Sequence, residues 1–500
     1  MVGGGRDPLV TVRPGINGCA AAGVNDGWGP KGIAVTKSSL EGVSETGASL
    51  AGVVASLMPQ LKQDLARLVA IPSISVQNFP DSTHAALLEA RDAVVDLCRA
   101  AGVENLGSLD LPNTAPVITG EIPAPDGAPT VLLYSHYDVV PVGDESKWES
   151  PPFEATERDG AIYGRGSADT KSNILMHVGA IQAWQGKPPV GIKIVIEGQE
   201  EVGSAFSTFP PQQPELFDAD AMVIGDMGSF RPGVPTLTVA LRGMAMITVE
   251  ARTLAGPKHS GQFGGAAPDA LIALLHALAS LHDERGDVTV PGLRREEWTG
   301  AAYSDDEFRE LAEIEPGVPF FGTGGLGERI WTGPAVTVTG IDVLPVDKAV
   351  NAVVPYARAK VSLRVHPEQD PVEAQRLLID FLEGLRPFGV SLTAQAGETG
   401  TGFAAETSGP AYTAAREALA SAWGGETVTF ASGGSIPLVN ALQAAAPKAE
   451  MLLLGTTDGF ANIHAPNERV LLDEFEKAVL AEAEFFGRYA AIAAGSGAGA

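Results

Sequence analysis

Cysteine is almost missing from this chain: Cys19 and Cys98 are the only two in 500 residues. Cys98 falls on the apolar face of a predicted helix and Cys19 in a stretch rich in glycine and alanine. The two do not read as a disulfide, and a reducing compartment is expected. Basic side chains are also scarce. The 34 lysines and arginines stand against 61 aspartates and glutamates, a formal net charge of −27. That balance argues against nucleic acid and against an anionic membrane as partners. Long apolar runs are missing as well, and none approaches the roughly 20 residues of a membrane span. The opening MVGGGRDPLV lacks the basic start, apolar middle and cleavage pattern of a signal peptide. Together these absences predict a cytoplasmic protein.

What is present is an ordinary globular balance, 45% hydrophobic and 19% charged, over a length that suits two domains. Residues 1–49 carry no sustained period and read as a flexible Gly/Ala-rich extension. Folding is expected from residue 50, with a helix over 59–69 carrying Leu61, Leu65 and Leu68. A second helix starts at Asp81, buries Leu87, Val94 and Cys98, and stops before Gly102. A third, over 172–184, carries Ile174, Leu175, Val178 and Ile181, with His177 as a packed residue. Strands alternate with these helices, as in a βαβ sheet.

The character changes near residue 241. Strands over 242–249, 335–340, 359–366 and 390–394, with helices over 268–282 and 371–385, follow a β-α-β-β-α-β order that is ferredoxin-like. The expected domains are residues 50–240 and 399–490 as two parts of a catalytic domain, 241–398 as an inserted lid, and 491–500 as a flexible tail after a helix over 472–489.

The chemistry gathers in residues 131–171, VLLYSHYDVVPVGDESKWESPPFEATERDGAIYGRGSADTK. An apolar strand, Val131 to Tyr134, runs into His136 and Asp138, which period-two alternation puts on one side. Such a pair is most often a plain hydrogen bond; it also suits a metal ligand whose tautomer is fixed by its carboxylate. Asp169 returns toward the same point through Gly164-Arg165-Gly166. Three more apolar strands deliver polar groups at or just past their ends: Glu200 and Glu201 after 192–197, Asp226 after 221–225, and His464 shortly after 451–454. A Glu pair is commonly a solvated turn, yet two adjacent carboxylates are costly to bury without a cation. Open α/β sheets place their sites beyond the carboxyl ends of strands. The repetition favours convergence on one metal site.

With these segments in view, the chain resembles the M20 metallopeptidases, which include dipeptidases, carboxypeptidases, aminoacylases and N-acyl-amino-acid deacylases with co-catalytic zinc. SHYDVVPVGD with Trp148 and PPF, GRGSADTKS, EGQEEVGS, DAMVIGDMG, RGMAMITVEA, KHSGQFGG, GGSIP and NIHAPNE carry it, in family order from about residue 59 to residue 489. KHSGQFGG, and Asp rather than Glu at position 226, place it nearest the carnosinase-like dipeptidases. The resemblance implies an α/β fold: a zinc-peptidase-type catalytic domain with a central mixed sheet flanked by helices, plus an inserted ferredoxin-like α+β lid used for homodimer formation.

It also implies roles. His136 and Asp226 would hold one metal, Glu201 and His464 the other, and Asp169 would bridge them. Asp138 would orient His136, and Glu200 would be the general acid/base for a bridging hydroxide. Two divalent ions are expected, Zn²⁺ by its N/O ligands, with Mn²⁺ or Co²⁺ fitting the same donors. The bond Asp169-Thr170 is expected to be cis. His259 would be the oxyanion donor, reaching the neighbouring subunit's site, and Arg364 would grip the substrate carboxylate. Asn351 would lie near the substrate, and Gly434 and Ser435 would contact its terminus. Two departures stand out. Ser172 follows Lys171 where many relatives have Gly, and Ala431-Ser432 replaces a pair that is often charged in carnosinase-like relatives. His84, His276, His282 and His366 read as structural or surface residues.

The expected activity is hydrolysis of the amide bond of dipeptides or short peptides. The alternative is removal of an N-acyl group, acetyl or succinyl, from an amino acid at the same site. An inactive metal-binding scaffold is disfavoured, because Glu200 and all five ligand positions are present.

Overall fold

Four apolar segments lie side by side in the order Gly191–Glu197, Thr130–His136, Ala221–Gly225 and Glu450–Leu454, all parallel. They belong to a computed structural model that describes residues 49–434 and 436–497. The expected extension (but for residue 49), Cys19, Ser435 and residues 498–500 of the expected tail lie outside the described residues. The four strands are runs of Val, Ile, Leu and Met buried on both faces, the pattern of a covered parallel sheet. Alternation divides them. Val131 and Leu133 point into one core, Leu132 and Tyr134 into another. Val117–Ile122 and Glu104–Leu109 extend one side antiparallel; Thr236–Leu241, Phe403–Ala404 and Val428–Ser432 extend the other, giving a mixed nine-stranded sheet.

Helices cover one face through Leu61, Leu65, Ile174, Val178, Val479 and Phe486; Phe206, Phe209, Phe217 and Leu442 cover the other. The helix Lys171–Ala183 is buried almost all round, so each polar group on it needs a partner. Lys171 Nζ donates to Leu68 O and Ile71 O at 2.8 and 2.9 Å, closing the carboxyl end of the helix Leu50–Val69. His177 lies 2.7 Å from Glu482 with its Nδ1 and 3.0 Å from Tyr134 O with its Nε2, a buried ion pair in place of a merely packed ring.

Two helices are longer than the sequence pattern suggests. The first begins at Leu50, not at 59, with Ser49 Oγ accepting from Gly52 N. Pro59 removes one backbone donor, but the buried stripe Val54, Met58, Leu61, Leu65, Leu68 continues across it, and packing outweighs the loss. The last runs Leu472–Gly497, past 489 and through most of the expected tail, because AAIAA has high helix propensity.

The second sheet is antiparallel, ordered Ala335–Ile341, Tyr356–Val365, Gly243–Arg252, Leu392–Gly400. With the helices Ala270–Ala279 and Pro371–Gly384 packed on Ile247, Val249, Val361 and Leu363, this is the ferredoxin-like arrangement. Burial along Gly243–Arg252 alternates, as expected for a sheet with one covered face. Phe230, Trp298, Tyr303, Trp331 and Phe430 form an aromatic cluster between a lid loop and the large sheet, beside an Arg231–Glu307 ion pair at 3.0 Å. No helix among the described residues is long and apolar enough to cross a membrane. Cys98 is buried and free.

Candidate metal centre

The four parallel strands release their polar residues at one edge of the sheet. His136 is the last residue of its strand, Asp226 follows Gly225, and Glu200 and Glu201 follow Glu197 by a short turn. That turn starts at Gly198, where a Cβ would lie 2.1 Å from the Tyr137 ring, so no larger residue fits. His464 arrives on the loop after Glu450–Leu454 in a left-handed backbone conformation, φ 61°. Asp169 stands at the start of the helix Lys171–Ala183, and its bond to Thr170 is cis.

Two triads result, His136–Asp169–Asp226 and Asp169–Glu201–His464. His136 Nε2 lies 3.2 Å from Asp169 Oδ1 and 3.5 Å from Asp226 Oδ1. His464 Nε2 lies 3.1 Å from Asp169 Oδ2 and 3.0 Å from Glu201 Oε2. Asp169 therefore turns one oxygen to each triad. On its far side, His136 Nδ1 is 3.1 Å from the Asp138 carbonyl and 3.3 Å from its Oδ1. The same Asp138 carboxylate accepts from the backbone N–H groups of Glu200 and Glu201 at 3.1 and 3.2 Å.

The electrostatics call for cations. Five carboxylates (Asp138, Asp169, Glu200, Glu201, Asp226) surround two imidazoles, so charge would not balance even with both rings protonated. Burial pushes the Glu200 carboxyl well above its usual range, with Asp226 adding to it. Burial likewise raises Glu201 to about 7 and raises Asp226. Burial draws His136 down, but Asp138, Asp169 and Asp226 together lift it well above 6.5. Hydrogen bonds that His464 donates to Asp169 and Glu201 lift it to about 10. Burial would raise Asp169, but the two imidazoles outweigh it and hold its carboxyl well down. A cation bound among these groups would favour the charged carboxylates and the neutral imidazoles, so its binding would release protons from the raised ones. Glu201 Oε1 is buried without a hydrogen-bond partner, and oxygen and nitrogen donors suit Zn²⁺. The residues fit.

Several supporting groups escape a sequence reading. Glu468 lies fully buried under Asp169, accepting from Arg165 Nη1 at 2.6 Å. Tyr134 donates to Glu197, a carboxyl that burial pushes up to about 8. Both acids sit within quoted motifs, but a Glu beside a loop or at a strand end carries no local signal of burial.

Neither triad includes a lid residue. His259 and Asn351 are both exposed, joined where Lys258–His259 pairs with Ala352–Val353 and Ser260 N donates to Asn351 O at 3.0 Å. Arg364 is half-buried opposite Met244 and near Arg242, and no carboxylate pairs with it among the described residues. Gly434 is exposed, with its N–H 3.4 Å from Ser432 Oγ. His366 is buried, its Nδ1 accepting from Glu368 N. It groups with Glu296 and Glu368, but Arg294 pairs with both of those acids.

Residues 132–488 match Peptidase family M20/M25/M40. The chain belongs to this family. As an M20 metallopeptidase it is similar to the cysteinylglycine-S-conjugate dipeptidase of Corynebacterium striatum, 40% identical over 370 residues that cover 72% of this chain and 81% of that one. The Beta-Ala-His dipeptidase of Rattus norvegicus is 29% identical over 439 residues, covering 83% and 85%. The crystal structure of human carnosine dipeptidase 1 matches with a TM-score of 0.70 at 25% identity, covering 88% of this chain and 98% of that one. Membership of this family implies divalent metal ions, and the two triads are candidate positions for them.

Proposed function

We propose that this protein is a dipeptidase that hydrolyses the amide bond of short peptides with two divalent ions, Zn²⁺ by donor type. The observation that carries this reading is Asp169, whose two oxygens face separate triads while Glu200 stands beside them. His136 and Asp226 would hold one ion, Glu201 and His464 the other, with Asp169 shared. When bound, such a pair polarises the scissile carbonyl and lowers the pKa of the attacking water.

The rest falls to the chain's own groups. Glu200, raised by burial, suits a general base that takes the water's proton on its carboxylate and hands it to the leaving amine. Asp138 holds His136 and the Glu200 backbone in one frame. Arg364, half-buried and without an acidic partner among the described residues, would bind the substrate's terminal carboxylate. Asn351, Gly434 and Ser435 would line the substrate. His259 would donate to the developing oxyanion. Its exposure on the lid supports its reaching the centre of a second copy in a homodimer.

The test is hydrolysis of a dipeptide panel beside N-acetyl and N-succinyl amino acids, by zinc-loaded protein and by Glu200→Gln. Dipeptide cleavage that falls about 10²–10⁴-fold in the variant is the expected result. Cleavage of only the acylated substrates would move the protein to the deacylases.

A further inference from the structure

The two triads are not built alike. His136 and Asp226 sit at the ends of central strands, and His136 is 1% exposed. His464 is 53% exposed on a loop with positive φ. Something must hold that loop against Asp169.

Glu468, four residues after His464, does so. Its side chain is fully buried and turned back beneath the Asp169 turn. Oε2 accepts from Arg165 Nη1 at 2.6 Å and Gly166 N at 3.0 Å; Oε1 accepts from Ala168 N and Asp169 N, both at 3.0 Å. Gly164 N donates to the Glu468 carbonyl at 3.0 Å. Every contact of the side chain is an acceptor contact. A glutamine there would set its own NH₂ against two N–H groups. Arg165 reaches on to Ala465 O at 3.4 Å, so the clamp closes over the His464 loop.

The Asp169 turn has a separate tie toward the other triad. Thr170 Oγ1 donates to Gly225 O at 3.1 Å, next to Asp226. Loss of the Glu468 clamp would thus free the turn from the His464 side and leave it attached on the Asp226 side.

We propose that Glu468 is a positioning residue that latches the His464 loop to the Asp169 turn, so that the Asp169–Glu201–His464 triad depends on it for its divalent ion and the His136–Asp169–Asp226 triad does not. This rests on the two-ion reading given above. Metal-free full-length protein should be titrated with Zn²⁺ by calorimetry and with Co²⁺ by visible absorption, as wild type, Glu468→Gln, Glu468→Asp and Glu450→Gln. Glu450 is the control, since it accepts from Ala411 N and Tyr412 N at 2.9 Å away from the centre.

Wild type should bind two ions. In Glu468→Gln the tighter step should be unchanged and the weaker one lowered about 10–100-fold, the range for groups that support a metal ligand. Glu468→Asp keeps the charge with a shorter reach and should lose less, which covers failure of the Gln variant to fold. Glu450→Gln should lower the melting temperature and leave both steps alone. Equal weakening of both steps, or of neither, with wild type still binding two ions would overturn the latch alone. Fewer than two ions in wild type would overturn the two-ion reading and the latch with it.

Discussion

Asp138 lies 3.3 Å from His136 Nδ1 with the same oxygen that accepts the backbone N–H of Glu200 at 3.1 Å. One buried carboxylate thus sets both a proposed metal ligand and the proposed base. Asp138→Ala should leave His136 free to turn and the Glu200 turn without its anchor. Activity is expected to fall about 10–100-fold, with weaker metal retention on dialysis. Full activity with normal metal content would remove Asp138 from the site.

Chelation should destabilise the fold. Without a cation, Glu200, Glu201 and Asp226 stay buried beside like charges, and any ion that binds only the native state adds about 2.7 kcal/mol at a hundredfold excess over its Kd. The melting temperature should fall on metal removal and return on adding Zn²⁺ back. A transition indifferent to both treatments would count against a metal centre at this edge.

The His177–Glu482 pair predicts a pH effect on stability. Burial draws the His177 pKa down, but the Glu482 charge outweighs it and holds it above 6.5. A raised folded pKa gives stability that is complete below about 6.5 and is lost as pH rises through the higher folded value. His177→Gln should cost roughly 3–5 kcal/mol at pH 6, as a buried acid loses its partner. The gap in melting temperature from wild type should narrow toward pH 9; a gap that widens would contradict the ion pair.

Arg364 can be tested by the charge it would bind. A bidentate guanidinium recognises a carboxylate in a way that an ammonium does not. Arg364→Lys should raise KM for dipeptides by about tenfold or more with a smaller change in kcat. Its preference for a free carboxylate over the C-terminal amide should shrink. An unchanged preference would leave Arg364 as an ordinary strand residue.

Much of this was legible in the sequence because it is written at short range. A short apolar strand buries itself, so the groups at or just past its end, His136, Asp226 and the Glu200–Glu201 pair, emerge at a sheet edge whatever the rest of the chain does. The β-α-β-β-α-β order of the lid is local in the same sense. Helix lengths were less legible, since Ser49 and a packed stripe carried the first helix through Pro59.

What the tertiary structure alone decided is which distant groups share one place. Glu468 and Lys171 look like solvated charges in sequence, yet Glu468 meets Gly166 across 302 positions and Lys171 meets Leu68 across 103. No periodicity encodes such contacts, because a buried charge depends on donors and acceptors brought from elsewhere to offset its desolvation. The sequence determined the strands and the residues they deliver; the packing of the sheet determined that Asp169 would turn one oxygen to His136 and the other to His464.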